Sequence, residues 1–302
     1  ALDLVARTLI DPGAPFLVDE STYSGAINVL SAAGARLIGV STDTEGPDPR
    51  ALRHLSRAGA KGFYLMPNCG NPTGNMISES RRHELIRWSR DAGVPLIEDD
   101  YGADLVLDDT PQPTSLRALD GQVIYLGTFS KKLLPALRVG FLVCPKALQR
   151  HVIPLKQAAD LGTSALLQYA LVEFIDRGYL RRHLSMLRPI YRSRRTALVD
   201  ALRASLPANV DFDVPKAGLL LWLSLPAHID PEVAARTAQE AGVMVTPSTL
   251  NSVTGGGSGG LRLTFCAESE ERLRLGAARL GSVLKQLDQR ESRKQSRRFN
   301  LV

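Results

Sequence analysis

Cysteine is scarce in this chain, which has three in 302 residues. Cys69, Cys144 and Cys266 lie far apart along the sequence. An odd number of isolated cysteines argues against a disulfide framework and against a thiolate metal site. The five histidines show no spacing typical of metal ligands either. We therefore expect a site without a metal ion, whose chemistry depends on other side chains.

Long apolar runs are also lacking. No stretch reaches the roughly 20 residues that a membrane-spanning helix requires, and the chain does not open on a charged and then apolar signal segment. The composition, 44% hydrophobic and 23% charged, is that of a globular chain with one large domain or two smaller ones. We expect a cytoplasmic protein with no membrane partner.

Basic residues are in excess, with a net charge of +6 and a pI near 9.4. They cluster in residues 177–195, which read as part of a long helix, and in the terminal stretch 290–298. Neither cluster has interleaved aromatic residues or a recognisable DNA-reading motif. We interpret the first as a solvated or subunit-facing helix surface and the second as a frayed polar terminus. No nucleic acid is expected to bind this fragment.

Short apolar strands alternate with helices over the first half of the chain. Strands are predicted at residues 14–19, 36–42, 62–67, 94–101, 122–128 and 139–145. Helical patterns such as GAINVLSAAG and SESRRHELIRWSRDAG separate them. This alternation predicts an α/β fold with a mostly parallel sheet and helices on both faces, in which loops at the carboxyl ends of the strands build the site.

The pattern changes beyond Pro145, where helical stretches lead to a smaller α+β unit. Its strands are predicted at residues 210–214, 218–225, 242–247 and 261–266, and its last helix ends near Leu287. We divide the chain into a large domain (1–176), an interdomain helix (177–206), a small C-terminal domain (207–288) and a basic tail (289–302).

A lysine, hydroxyls and an arginine lie close together in GTFSKKLLPALRVG, residues 127–140. Lys131 or Lys132 can supply the amine for a Schiff base, and Thr128, Ser130 and Arg138 can bind a phosphate. A phosphorylated aldehyde cofactor would suit this arrangement. A strand end followed by a solvated basic turn would explain the same residues. This stretch alone therefore does not distinguish a cofactor site from a plain turn.

Acidic residues end the predicted strand VPLIEDDY. Alternation puts Asp99 and Tyr101 on one face and Glu98 and Asp100 on the other. Consecutive acids at a strand end need a cation or solvent, and a ligand would sit there. The polar exit of a buried strand is the alternative interpretation. The loop NPTG, which contains Asn71, is in the same way either part of a site or a plain turn.

Five motifs taken in order give the chain a resemblance. DESTYSG, NPTG, EDDY, GTFSK with PALRVG, and LRLTF follow one another over nearly the whole sequence. The chain resembles the fold-type-I, class I/II pyridoxal-phosphate aminotransferases, near the 2-aminoadipate and kynurenine aminotransferase branch. It is also similar to the aminotransferase-like half of MocR-type regulators. The resemblance implies pyridoxal 5'-phosphate as cofactor, held by the large domain, and a homodimer.

The resemblance also implies roles for the cofactor site. Lys131 would form the Schiff base and move a proton, while Lys132 would be a solvated neighbour. Asp99 would pair with the pyridine nitrogen. Tyr101 and Asn71 would hydrogen-bond the phenolic oxygen of the cofactor.

Three further roles concern the rest of the cofactor and the substrate. The ring of Tyr23 would stack on the cofactor. Thr128 and Arg138 would hold the phosphate, whereas the family suggests no firm role for Ser130. Arg262 would bind the substrate α-carboxylate bidentately, with Asn71 beside it. A strand-edge arginine that reaches solvent is the plainer interpretation of Arg262.

One departure from the family concerns the start of the chain. The family has an upstream loop at a helix N-terminus that cups the phosphate, and a segment before it that reaches the partner subunit. Neither precedes ALDLVARTL here, and Ala1 is not an initiator methionine. We expect the N-terminal part of the fold to be missing, and with it any winged-helix domain of a regulator.

Two functions therefore remain. The predicted catalytic set is complete and NPTG resembles the enzymes, which favours transamination between an amino acid and a 2-oxo acid. Three other segments resemble the regulators in sequence, namely GTFSK, PALRVG and FIDRGYLRRHL. We predict an aminotransferase, with the effector half of a MocR-type regulator as the alternative.

Overall fold

The protein folds around a six-stranded and a three-stranded β-sheet, and two short strands form a separate antiparallel pair. A computed structural model describes residues 1–109, 111–253 and 259–299, with side chains up to residue 290. The strands are β1 (Pro15–Asp19), β2 (Arg36–Val40), β3 (Thr42–Asp43), β4 (Gly46–Pro47), β5 (Phe63–Leu65), β6 (Leu96–Asp100), β7 (Ile124–Thr128), β8 (Gly140–Val143), β9 (Leu220–Ser224), β10 (Thr246–Pro247) and β11 (Gly260–Thr264). The helices are α1 (Leu2–Leu9), α2 (Ser24–Ala32), α3 (Pro49–Leu55), α4 (Glu79–Ala92), α5 (Leu116–Leu119), α6 (Lys146–Asp160), α7 (Ala165–Asp176), α8 (Tyr179–Ser205), α9 (Pro231–Glu240) and α10 (Glu270–Phe299).

The large sheet has six strands in the order β2, β1, β5, β6, β7, β8. All neighbours are parallel except β7 and β8, which run antiparallel. Alternate residues of a strand point to opposite faces. Phe16 and Val18 of β1 accordingly pack with α1 and α2, whereas Leu17 packs on the other face with α3, α4 and α5. The prediction of a mostly parallel sheet with helices on both faces is confirmed.

Local sequence signals explain where several helices begin. The Ser78 hydroxyl accepts the Arg81 N–H at the start of α4, and Gly93, with φ 67°, ends that helix in the left-handed conformation. The Asp230 carboxylate accepts two backbone N–H groups at the start of α9, where Pro231 occupies the first turn.

The small sheet has the order β10, β11, β9 and is antiparallel throughout. Apolar residues of this sheet share one core with α8, α9 and α10. Members of that core are Leu198, Leu202, Leu221, Leu223, Ala234, Leu261, Leu263, Leu280 and Leu284. This unit follows the α+β pattern expected for the C-terminal half, while the domain boundaries stay a prediction.

Three local predictions differ from the structure. The predicted strand 210–214 is wrong, because only an isolated bridge joins Asp211 to Ser224. The predicted end of the last helix near Leu287 is also wrong, since α10 continues to Phe299. Its extension is rich in Arg, Lys, Gln and Glu, which are strong helix formers. The predicted tail is therefore helical as far as it is described, and residues 300–302 lie outside the described part.

The arginines at the end of the predicted basic surface also differ from expectation. We interpreted residues 177–195 as solvated or subunit-facing, but the end of that stretch binds the protein's own backbone. Side chains of Arg188, Arg192, Arg194 and Arg195 donate to carbonyl oxygens of Asp104, Leu107, Cys266 and Pro215, in that order. These four arginines thus contact loops of the same chain, and Arg195 is buried while Arg188 and Arg192 stay exposed. Within the described residues, no helix is both long and apolar enough to cross a membrane.

Candidate active site

All eight side chains singled out from the sequence line one open cavity of about 1160 Å³. They are Tyr23, Asn71, Asp99, Tyr101, Thr128, Lys131, Arg138 and Arg262. Seven of them lie in or follow β1, β5, β6 and β7, near the carboxyl ends of the parallel strands, and the eighth lies in β11 of the small sheet. The structure therefore brings together residues that span most of the chain, although their individual roles stay predictions.

Asp99 and Tyr101 lie at the end of β6 and both line the cavity. Burial raises the pKa of Asp99 to about 6, and a hydrogen bond from the Tyr64 hydroxyl to its Oδ2, 2.7 Å long, opposes that rise. The Tyr101 hydroxyl is buried with no hydrogen-bond partner among the described residues. A buried polar atom left alone costs roughly 1–3 kcal/mol. The pair is thus built to meet a polar ligand.

Strand alternation also holds on the other side of β6. Glu98 is fully buried and accepts the backbone N–H groups of Leu116 and Arg117 at the start of α5. Burial raises the pKa of Glu98 to about 7. Asp100 accepts a hydrogen bond from the Tyr125 hydroxyl at 2.9 Å. These two acids do not line the cavity, so only Asp99 of the acidic run does.

Lys131 and Arg138 lie in the segment that follows β7 and supply positive charge to the cavity. Both side chains are exposed, and neither makes a hydrogen bond or ion pair with the described part of the chain. Arg138 follows the short 3-10 turn Pro135–Leu137 and has φ 52°, a left-handed conformation that costs a non-glycine residue about 1–2 kcal/mol. Such strain commonly persists at ligand sites.

Thr128 and its neighbours complete this wall. Thr128 ends β7, and its Oγ1 accepts the Ser130 N–H at 3.1 Å, which leaves the Thr128 hydroxyl proton for another acceptor. Ser130 also lines the cavity.

Lys132 differs from its expected place. We predicted a solvated base, but Lys132 is buried, pairs with the Asp104 carboxylate, and lies 5.6 Å from the centre of the Phe129 ring. The prediction is wrong because the turn after β7 directs successive side chains to opposite sides, so that Lys131 enters the cavity and Lys132 enters the protein.

Arg262 joins the small sheet to the large one. Its Nη1 donates to Asn71 Oδ1 at 2.9 Å and its Nη2 to Thr246 Oγ1 at 3.1 Å. Burial is the largest influence on Arg262 and lowers its pKa, while nearby Tyr101 and Tyr23 oppose that effect. The guanidinium is therefore held from two sides inside the cavity, and it does not reach out to solvent as a plain strand-edge arginine would.

Tyr23 precedes α2, and its ring lies directly over Gly25. A Cβ added at Gly25 would come within 2.3 Å of that ring, so a larger residue there would displace the ring from its present position. The ring forms part of the cavity lining.

Sequence reasoning missed Tyr64 and Thr246 as neighbours of the site. Tyr64 reads as one more residue of the buried strand GFYLMP, and Thr246 as part of GVMVTP. A polar group in an otherwise apolar strand was the available signal, because a buried hydroxyl usually has a partner. Which partner it has depends on the tertiary structure.

Comparison with known proteins agrees with this geometry. Residues 1–280 match the model of the family "Aminotransferase class I and II". The chain belongs to this family. The 2-aminoadipate transaminase of Thermus thermophilus is 36% identical over 294 residues, which are 95% of this chain and 73% of the relative. The uncharacterized HTH-type transcriptional regulator YdfD of Bacillus subtilis is 30% identical over 295 residues, which are 96% of this chain and 60% of that protein.

A solved structure gives the same result. The crystal structure of LysN, an alpha-aminoadipate aminotransferase from Thermus thermophilus complexed with N-(5'-phosphopyridoxyl)-L-leucine, superposes with a TM-score of 0.90. It is 34% identical, and the match covers 95% of this chain and 75% of that one. Our chain thus spans about three quarters of these aminotransferases and a smaller share of the regulator.

Family membership implies pyridoxal phosphate as the cofactor, and the cavity fits that molecule. An anionic phosphate would meet the Arg138 guanidinium and the Thr128 hydroxyl. A protonated pyridine nitrogen would meet the Asp99 carboxylate. The phenolic oxygen of the cofactor would meet the Tyr101 hydroxyl. Each polar group of the cofactor thus has a complementary side chain.

Proposed function

We propose that this chain is a pyridoxal-phosphate-dependent aminotransferase that moves an amino group between an amino acid and a 2-oxo acid. The observation that carries the proposal is one cavity in which the amine of Lys131, the enclosed carboxylate of Asp99 and the doubly held guanidinium of Arg262 come together. Family membership supports it. We also propose a cytoplasmic homodimer.

Pyridoxal phosphate, when bound, supplies an aldehyde that condenses with amines and a pyridine ring that withdraws electrons. Thr128 and Arg138 would hold the phosphate, Tyr23 would stack on the ring, and Tyr101 and Asn71 would donate to the phenolic oxygen. Asp99 would keep the ring nitrogen protonated through its negative charge.

Arg262 holds the substrate. Its two terminal nitrogens can bind both oxygens of an α-carboxylate, and Asn71 and Thr246 keep the guanidinium plane in place. This leaves the substrate's α-carbon towards Lys131. The Lys131 Nζ would move the proton between that α-carbon and the cofactor.

The regulator half is the second candidate function, because YdfD matches 96% of this chain at 30% identity. A regulator of this kind would bind the cofactor and an amino acid without turnover. The residues that line the cavity do not separate the two functions, so the discriminating measurement is chemical.

A half-reaction decides between them. The chain is loaded with pyridoxal phosphate and mixed with single amino acids, and the matching 2-oxo acid is quantified. We expect stoichiometric 2-oxo acid from at least one amino acid, and none from Lys131→Ala. Cofactor binding without 2-oxo acid from any proteinogenic amino acid or 2-aminoadipate would favour the regulator instead.

A further inference from the structure

Tyr64 contacts Asp99, the acid at the end of β6 that lines the cavity. It lies in the middle of β5, is fully buried, and packs on the same face of the sheet as Val18 and Ile97. Its hydroxyl donates to Asp99 Oδ2 at 2.7 Å. Tyr64 does not line the cavity, so it can influence a ligand only through Asp99.

This hydrogen bond divides the two oxygens of Asp99 between different tasks. Oδ2 is engaged by the phenol, whereas the described part of the chain gives Oδ1 no hydrogen-bond donor. A carboxylate fixed through one oxygen has a fixed plane and a fixed direction for the other. The free oxygen is then available to a donor inside the cavity.

The same hydrogen bond affects the charge of Asp99. Burial raises the pKa of Asp99 to about 6, and the donated hydrogen bond lowers it. Burial and the nearby Asp99 raise the pKa of Tyr64 well above its usual range, so the phenol keeps its proton and stays a donor. Without the phenol, Asp99 would be easier to protonate.

We infer that Tyr64 is a positioning residue for cofactor binding. Its hydroxyl keeps the Asp99 carboxylate charged and directs its other oxygen towards the ring nitrogen of the cofactor. The inference rests on the proposed function, since it assumes that pyridoxal phosphate occupies the cavity. It goes beyond that function because Tyr64 touches neither cofactor nor substrate.

The chain contains a matched control for this hydrogen bond. Tyr125 of β7 donates to Asp100 Oδ2 at 2.9 Å, one residue along β6 from Asp99. Both bonds join a phenol on a neighbouring strand to a carboxylate of the same strand. Asp100 does not line the cavity. Removing the two hydroxyls should therefore disturb the sheet similarly and the cofactor differently.

The test compares two ligands on three proteins. Equilibrium dialysis gives the dissociation constants of pyridoxal phosphate and of its 1-deaza analogue, in which a C–H group replaces the ring nitrogen. The proteins are the wild-type chain, Tyr64→Phe and Tyr125→Phe. Only pyridoxal phosphate can use a charge at the ring nitrogen, so the ratio of the two constants reports on Asp99.

We expect Tyr64→Phe to weaken pyridoxal phosphate binding on the order of tenfold, which is about 1.4 kcal/mol, because Asp99 loses a hydrogen bond that supports its charge and its orientation towards the ring nitrogen. The analogue should change by less than about twofold, which is the usual error of additivity. Tyr125→Phe should leave both constants within the same limit. In an Asp99→Asn background, Tyr64→Phe should have no further effect on pyridoxal phosphate.

Four outcomes would contradict the inference. Equal weakening of both ligands by Tyr64→Phe would mean that the hydroxyl only supports the fold, and no weakening of either would mean that it has no role. If Tyr64→Phe still weakens pyridoxal phosphate binding in the Asp99→Asn background, the hydroxyl acts on the cofactor through a residue other than Asp99. If the wild-type chain binds neither ligand, the proposed function fails together with the inference. Thermal unfolding of each variant establishes that it is folded.

Discussion

Two adjacent lysines have opposite surroundings. Lys131 is exposed in the cavity and makes no ion pair with the described residues, whereas Lys132 is buried against Phe129 and paired with Asp104. One is available to a ligand, and the other ties the turn after β7 to the loop that follows β6. The same residue type thus serves chemistry at one position and stability at the next.

We predict that Lys131→Ala abolishes the visible absorbance of the cofactor-loaded protein and its amino transfer while leaving its unfolding midpoint nearly unchanged. Lys132→Ala should keep the absorbance and the amino transfer but lower the free energy of unfolding. Removing one partner of a fully buried pair costs about 3–5 kcal/mol, and the partly exposed Asp104 reduces this to roughly 1–2 kcal/mol. Absorbance spectra and urea unfolding of the two variants measure both effects.

The assignment would be wrong if Lys132→Ala lost the absorbance and Lys131→Ala kept it. Equal stability losses in both variants would instead show that Lys131 is not free of structural contacts.

Helix α8 shows that the charge pattern of a helix does not reveal which of its charged side chains are exposed and which are buried. Its exposed first half carries Arg181, while its second half carries Arg195, which is buried. Arg195 donates to the Pro215 carbonyl and to the Asp108 carboxylate, and so joins the helix to two loops. The loop that contains Asp108 follows β6 of the large sheet, and the loop that contains Pro215 precedes β9 of the small sheet. Arg195 therefore connects α8 to segments next to both sheets.

We predict that Arg195→Ala lowers the free energy of unfolding by about 2–4 kcal/mol, because it leaves the Pro215 carbonyl and Asp108 without their donor. Arg195→Lys should recover less than half of the loss, since one ammonium cannot match the two bonds of the planar guanidinium. Arg181→Ala, on the same helix but exposed, should stay within about 0.5 kcal/mol of wild type. Urea unfolding with a common m-value compares the three.

Similar losses for Arg181→Ala and Arg195→Ala would contradict this picture. They would indicate that the helix is stabilised by its overall charge and not by one buried contact.

Three enclosed carboxyls give the whole molecule an unusual dependence on pH. Burial raises the pKa of Asp19 and of Glu98 to about 7 and that of Asp99 to about 6. At these three groups the folded chain therefore binds more protons than the unfolded chain between roughly pH 4 and 7. The contribution of these groups to the free energy of unfolding is greatest at low pH and falls as the pH rises through this window.

Asp19 isolates this effect, because its Oδ1 is buried without a hydrogen-bond partner among the described residues. Its pKa rises from 3.8 to about 7, so its ionisation lowers stability by roughly 3–4 kcal/mol between pH 4 and pH 8. We predict that Asp19→Asn removes this loss: relative to wild type, the variant becomes more stable by that amount as the pH rises. Chemical unfolding of the cofactor-free chain at several pH values measures the difference.

Asp91→Asn, at an exposed position of α4, is the matched control and should follow the wild-type curve at every pH. A difference between Asp19→Asn and wild type that does not change with pH would show that Asp19 has the same pKa in the folded and the unfolded chain.

The sequence by itself determined the class of fold and the residues that meet in the cavity. Strand alternation and the order of elements are local patterns, and the carboxyl ends of parallel strands share one edge of a sheet. Asn71, Asp99 and Lys131 could therefore be assigned to one site from their positions after β5, in β6 and after β7. Their roles rest on family resemblance and stay predictions.

Only the tertiary structure decided which partner each polar group has. Tyr64 meets Asp99 across 35 positions of sequence, and Arg262 meets Asn71 across 191. The inward direction of Arg195 and the burial of Lys132 likewise depend on distant loops. A hydrogen bond is set by distance and angle within a few tenths of an ångström, and such geometry arises only when elements far apart in the chain are packed together.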